Sequence, residues 1–177
     1  MATLQGLFAL LHCELGRLDR GRAVFERLTT QRFADLPDDA MWLGCVAAAS
    51  GACELLGDRH RGDLLYRLLT PYADHIVSPP HFALGPVAQF LGRLATMLDR
   101  FDEAEAHFGH AERINTKMAA PIWAAQTRLE WAQMLMTRAR PADAALASDL
   151  LRQVIDTAQH LDLCTLEGRA AALLDRS

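Results

Sequence analysis

Four segments of the chain repeat one another at intervals of about forty residues. "LGRLDRGRAVFERL" (15–28), "LGDRHRGDLLYRLL" (56–69) and "LDRFDEAEAHFGHA" (98–111) align without gaps, and "ADAALASDLLRQV" (142–154) continues the series after a slightly longer turn. In each, a small residue precedes a large one by four positions: Gly21/Phe25, Gly62/Tyr66, Ala104/Phe108 and Ala147/Leu151. The small residue recurs after 41, 42 and 43 positions. A second register lies upstream of each break, in the pairs Phe8-Ala9, Ala49-Ser50, Leu91-Gly92 and Trp131-Ala132. Helices that cross closely need compact side chains at the crossing, because a larger one holds the backbones apart. The large residue one turn later fills the groove beside that notch. The recurrence therefore predicts paired helices that stack on one another, with Phe108 and its equivalents buried.

Nothing in the composition opposes this. Sustained alternation is missing, and β-branched residues are sparse beside Ala, Leu, Arg and Glu, so strands are not expected. The periodicity predicts helices over 2–15, 19–30, 38–56, 59–69, 85–98, 102–117, 120–138, 142–161 and 164–174. Stops stand at Gly16, Pro37, Gly57, Thr70-Pro71, Asp99-Arg100 and Pro141. Asp19, Asp58 and Asp102 sit where they would cap a first turn. The segment "TPYADHIVSPPHFALGP" (70–86) is the irregular one. Pro79-Pro80 cannot lie inside a helix, Pro86 suits a first turn, and the connection is long for a helical array. His75 and His81 are its side chains that change charge near neutral pH.

A chain of 177 residues, 51% hydrophobic, can bury one sizeable core. Its net charge of −4 supplies no field to attract phosphates, so direct nucleic-acid binding is not expected. The N-terminus lacks a basic n-region, and the longest uncharged run, from Ala40 to Cys53, is too short to span a bilayer. The expectation is a soluble, cytoplasmic protein with no membrane partner. Cys13, Cys45, Cys53 and Cys164 show no zinc-like spacing, and eight helical residues put Cys45 roughly 12 Å from Cys53, too far for a disulfide. Buried reduced thiols are expected.

A helical hairpin with a small residue inside its first helix, a Gly-x-x-Asp-x-Ala-like turn and an aromatic one turn later resembles the tetratricopeptide repeat (TPR). Residues 88–111 match best, through Ala88, Leu91-Gly92, Ala104, Phe108 and Ala111. Gly21 and Gly62 replace the usual alanine, and the period exceeds the usual 34 residues. Longer repeats with such turns are similar to the sensor or arm region of large bacterial regulators, which couple an ATPase to helical repeats and often to a LuxR-type or cyclase-like domain. The resemblance implies one TPR-like domain over 1–177, an all-α, right-handed solenoid of about four antiparallel hairpins. These would occupy approximately 1–30, 38–70, 80–117 and 119–161, with a capping helix at 164–174. Neither a GxxxxGK[ST] phosphate loop nor a basic recognition helix occurs, so the expectation is the repeat module of such a signal-transduction or transcriptional regulator alone, or a truncated relative of one.

In TPR superhelices the first helix of each hairpin lines the concave side. The resemblance thus implies a binding groove of Glu14, Glu54, Gln89, Arg93, Gln126 and Gln133, with Leu10, Leu55, Met97, Leu129 and Met136 between them. Charges and amides over apolar ground suit a partner protein, a peptide or a small effector. Arg93 could clamp a ligand carboxylate bidentately, or simply pair with Glu54. Both readings stay open.

Other constellations favour structural readings. Glu103, His107 and His110 share a helical face that could hold a metal, but Ala104, Phe108 and Ala111 take the buried stripe and leave the histidines at its margin. Ser50 lies inside a helix and "AASGA" (48–52) is not a GxSxG motif, so it reads as a notch and not a nucleophile. His12 and Cys13 are adjacent and face apart on a helix. Trp42, Trp123 and Trp131 suit core anchors, and Met97, Met134 and Met136 suit gap filling. The sequence therefore predicts a non-enzymatic interaction module without cofactor or metal. A structural arm that forms a homodimer through open repeat ends is the alternative, and an enzyme the third.

Overall fold

The computed structural model describes residues 4–30, 41–78 and 83–176. Within them the chain forms nine α-helices: α1 (Gln5–Glu14), α2 (Leu18–Thr30), α3 (Trp42–Leu56), α4 (Arg59–Leu69), α5 (Val87–Met97), α6 (Phe101–Lys117), α7 (Pro121–Arg138), α8 (Asp143–His160) and α9 (Cys164–Leu174). The fold is all-α, and every helix lies within a few residues of its expected span. Pro37, Pro79-Pro80 and His81 fall outside the described residues.

Two expectations are corrected in detail. Asp58 does cap α4, its carboxylate accepting the Arg61 amide at 3.1 Å. Asp19 and Asp102 do not cap: α2 and α6 each begin one residue earlier than expected, so both acids lie inside the first turn and act on the helix dipole instead. The second correction concerns 70–86. A 3₁₀ turn (Thr70–Tyr72) extends α4, and two-residue strands β1 (Ile76–Val77) and β2 (Gly85–Pro86) then pair antiparallel, with Ile76 opposite Pro86 and Val77 opposite Gly85. The Leu84 amide donates to the Val77 carbonyl (2.8 Å) and the Val87 amide to that of His75 (2.9 Å). Short alternation was too brief to register, yet it satisfies backbone groups beside the buried Val77.

Left-handed residues close several of the helices. Gly16, Gly57, Asp99 and Ala139 follow α1, α3, α5 and α7 with φ of 71°, 67°, 60° and 53°, at intervals of 41, 42 and 40 residues. A left-handed residue lets carbonyls of the last turn find donors: after α3, the Gly57 amide reaches Glu54 and the Asp58 amide reaches Cys53.

The chain divides into two compact units, Met1–Asp99 and Arg100–Ser177. The first is built around α3, which touches α1, α2, α4, α5 and β1. From Gly44 to Cys53 every residue of α3 is buried, and none is larger than valine. A helix apolar on all sides belongs in a core. Here the small side chains also let its neighbours come close. A Cβ on Gly6 of α1 would lie 2.2 Å from the Cys45 carbonyl oxygen, and one on Gly51 would lie 3.0 Å from Leu10. Within this unit α1 packs on α2 and α3, and α5 packs on α3 and α4. In the second unit α7 packs on α6 and α8, while α9 lies on α8 and α7.

All eight notches are buried: Ala9, Ser50, Gly92 and Ala132 in one register, Gly21, Gly62, Ala104 and Ala147 in the other. Phe25, Phe108 and Leu151 are buried as required, and Tyr66 is half-buried. Glycine replaces alanine at two of these positions for different reasons. A Cβ on Gly21 would meet Cys13 Sγ at 2.3 Å and the Ala9 carbonyl oxygen at 3.2 Å, atoms held by α1 itself. At Gly62 the obstacle is Met97 Cε at 2.1 Å, the far end of a flexible side chain. Gly21→Ala should therefore destabilise by about 1–3 kcal/mol through overpacking. Gly62→Ala should be neutral or stabilise by up to about 1 kcal/mol, because the methionine swings aside and alanine favours helix. Urea denaturation of the two variants tests this, and equal losses would contradict it.

Candidate functional site

In the first unit, α3 carries Glu54 and α5 carries Gln89 and Arg93 one turn apart. Arg93 Nε donates to Glu54 Oε2 at 2.6 Å, with side-chain exposures of 20% and 34%. Partial burial makes this ion pair stronger than a surface one. Gln89 is buried, 3% exposed, and so does not stand on an open surface. Glu14, at the end of α1, is exposed and makes no ion pair among the described residues.

In the second unit, Gln126 Nε2 donates to Glu130 Oε1 at 2.8 Å along α7. Gln133 is half-buried, two turns further on. Gln126 also lines a cavity of about 480 Å³ with Ile122, Leu163, Cys164 and Arg169. Of the six expected groove residues, the structure thus brings Glu54 and Arg93 into direct contact and engages Gln126 with a neighbour that sequence reasoning did not single out.

The strongest electrostatic cluster of the second unit was not foreseen. Arg138, at the end of α7, has only 6% of its side chain exposed. It grips Asp143 with two bonds, Nε to Oδ2 at 2.9 Å and Nη2 to Oδ1 at 2.7 Å, and reaches Glu105 Oε2 on α6 at 2.6 Å. The Arg140 amide donates to the same Asp143 carboxylate at 2.9 Å, and Arg140 pairs with Asp102 at 2.9 Å. The cluster ties three helices at the α7–α8 turn. Its sequence signal is the basic pair around "TRARPAD", where an acid just after a proline can collect the turn's donors. Hydrogen bonds from Arg138 hold the Asp143 carboxyl down at about 2 and outweigh its burial. Arg138 is correspondingly raised above the usual guanidinium range by Asp143 and then Glu105.

The remaining candidates take structural places. Ser50 Oγ donates to the Ala47 carbonyl at 2.7 Å inside α3. None of the four cysteines is disulfide-bonded; Cys13, Cys45 and Cys53 are buried and Cys164 is exposed. Burial, then the Asp58 charge, pushes the Cys53 thiol up to about 12, and its Sγ donates to the Asp58 carbonyl at 3.1 Å. Trp42 is buried and packs at a tilt against Tyr72, ring centres 5.2 Å apart, and Tyr72 meets His75 edge-on at 5.6 Å, so the 3₁₀ segment closes over the start of α3. Trp123 and Trp131 are half-buried. His107 and His110 are half-buried on α6; burial holds His107 below the ordinary imidazole value against the pull of Glu103. Among the described residues no group of three His, Cys, Asp or Glu side chains gathers to hold a metal, and no helix is long and apolar enough to cross a membrane.

Comparison with protein-family models, with curated proteins and with solved structures finds no match to this chain.

The Arg138 cluster carries a pH prediction. Because the folded-state value of Asp143 lies below its unfolded value of about 3.9, its contribution is complete above pH 4 and disappears as pH falls towards 2. Asp58, lowered by its Arg61 hydrogen bonds against the effect of burial, adds in the same direction. Asp143→Asn should cost about 1.5–3 kcal/mol near neutral pH, since it removes one of the two carboxylates hydrogen-bonded to a buried guanidinium and leaves Glu105, and should flatten the acid limb of stability. Urea midpoints for both proteins between pH 6 and pH 2.5 check the sign. A variant as acid-sensitive as the parent would remove Asp143 from the account.

Proposed function

We propose that this chain is a non-enzymatic, TPR-like interaction module of a bacterial signal-transduction regulator, and that it binds a carboxylate-bearing peptide segment of a partner protein at Arg93. The packing order supports the solenoid reading. First helices lie on first helices (α1 on α3, α3 on α5), and each second helix touches the next first helix (α2 on α3, α4 on α5). In the TPR family the sequence resembles, such an order accompanies first helices that line a concave side.

The observation that carries the binding role is the Arg93–Glu54 pair. Its partly exposed carboxylate already marks the geometry that a ligand carboxylate would occupy, and a guanidinium can exchange one for the other. Glu54 is then a competitor that keeps Arg93 extended until a ligand arrives. Fluorescence polarisation with hexapeptides ending in Asp or Glu tests it. Arg93→Gln should weaken binding at least tenfold, whereas Glu54→Gln should tighten it several-fold. Absence of binding by every peptide, or indifference to Arg93→Gln, overturns the reading.

A second reading, self-association, rests on α1. Leu4, Phe8, Leu11 and Leu15 are 40%, 53%, 47% and 66% exposed and fall on one helical face. One repeat later their equivalents Cys45, Ala49, Ala52 and Leu56 are buried or half-buried on α3, which lies against α1 and α2. The outer face of α1 is thus the face that a preceding hairpin would cover, and a second copy of this chain is the occupant it suits. Its spacing of four, three and four reads alike in both directions. Two-fold antiparallel pairing sets Leu4 against Leu15 and Phe8 against Leu11 of the other copy, and no Asp, Glu, Lys or Arg intervenes from Leu4 to Cys13. One helix face is less than the ~800 Å² per partner of a standard interface, so the dimer should be weak and concentration-dependent. Sedimentation velocity should show it, and Phe8→Glu should return the monomer with an unchanged melting curve. A parent that stays monomeric at the highest attainable concentration excludes this interface.

A further inference from the structure

Between the end of α6, the start of α7 and α8 lies a cavity of about 400 Å³, entirely within the second unit. Asn115, Ala120, Pro121, Ala124, Arg128 and Thr157 are among its lining residues. Their chemistry is two-sided.

One side supplies acceptors. Asn115 is 1% exposed, and its Nδ2 donates to Thr127 Oγ1 at 3.0 Å. Its Oδ1 is buried and has no hydrogen-bond partner. A buried amide oxygen left in this way is uncommon and costly, and a small turn of the side chain towards the cavity it lines would let an incoming N–H or O–H satisfy it. Thr157 Oγ1 spends its only proton on the Gln153 carbonyl at 2.8 Å, so towards a ligand it too can only accept.

The other side supplies donors and positive potential. Arg128 donates from Nη2 to Glu112 Oε1, which leaves the rest of its planar fork to meet a second carboxylate. The eighteen-residue α7 opens here with Pro121 in its first turn, and its N-cap, Ala120, has no side-chain cap. Pro121 has no amide proton, and the Ala120 and Ala124 amides are bonded to the Asn115 and Ala120 carbonyls, each at 3.0 Å, so this end of α7 contributes the positive end of its helix dipole and no free amide of a lining residue. Between the two sides the wall is alanine and proline, suited to an aliphatic chain.

We propose that this cavity binds a small carboxylate carrying a hydrogen-bond donor on its neighbouring carbon, an α-amino or α-hydroxy acid with an aliphatic side chain. The carboxylate lies at Arg128, near the positive end of α7, the donor at Asn115 Oδ1 and Thr157, and the side chain against Ala120, Pro121 and Ala124. The site does not depend on the Arg93 reading, and either can fail without the other.

Isothermal titration of the full chain with L-leucine, its 2-hydroxy analogue and 4-methylpentanoate separates the parts, because the three share a carboxylate and side chain and differ in the donor. One-to-one binding of leucine or the hydroxy acid, with 4-methylpentanoate at least tenfold weaker, is the expected result. Arg128→Gln should weaken binding at least tenfold. Ala120→Leu, which fills the cavity from a half-buried position and removes no hydrogen bond, should abolish it while the melting curve stays that of the parent. No binding by any of the three acids overturns the proposal. So does equal binding of 4-methylpentanoate, or binding that survives Ala120→Leu.

Discussion

Close approach of backbones around α3 is the condition on which the first unit depends. Five elements touch one helix, which is possible only because the ten residues from Gly44 to Cys53 project so little. Small side chains contribute little hydrophobic area each. Their value lies in bringing whole helices within dispersion range, where many weak contacts add up. The cost is intolerance: at Gly6 and Gly21 the space for even one methyl group is occupied by backbone or by the sulfur of a short side chain.

The second unit solves the same problem with charge. Its α7–α8 turn lacks glycine, and Ala139 adopts the left-handed conformation that glycine supplies after α1 and α3. Arg138 and Asp143 sit on either side of that strained residue and bind each other twice, with Glu105 as a third party. A buried pair of this kind adds little net stability over an apolar substitute but fixes one arrangement among several. The turn is therefore specified by hydrogen bonds where the earlier turns are specified by conformational preference.

What could be read from the sequence follows the same division. Helix positions and all eight notches were legible because period and side-chain size are local properties, written directly in the order of residues. The two-residue ladder at Ile76–Val77 and Gly85–Pro86 was not, since so short an alternation carries no periodic signal. Arg138 and Glu105 are thirty-three positions apart, and nothing local links them. The pairing of Arg93 with Glu54 was legible from helical register, but the burial of Gln89 was not, because register tells which face a residue occupies and not how deeply that face is covered. The cavity at Asn115 escaped entirely, since an unsatisfied amide oxygen is a property of three-dimensional surroundings.

The thiols have a practical corollary. Cys13 and Cys53 are raised by burial and Cys45 is enclosed in α3, whereas Cys164 opens α9 at the surface. Alkylating reagents attack the thiolate, so the native fold itself directs them to one position. A maleimide dye or spin label added to the unaltered chain would mark the start of α9 alone, and its later spread to the other three sulfurs would time the opening of the interior.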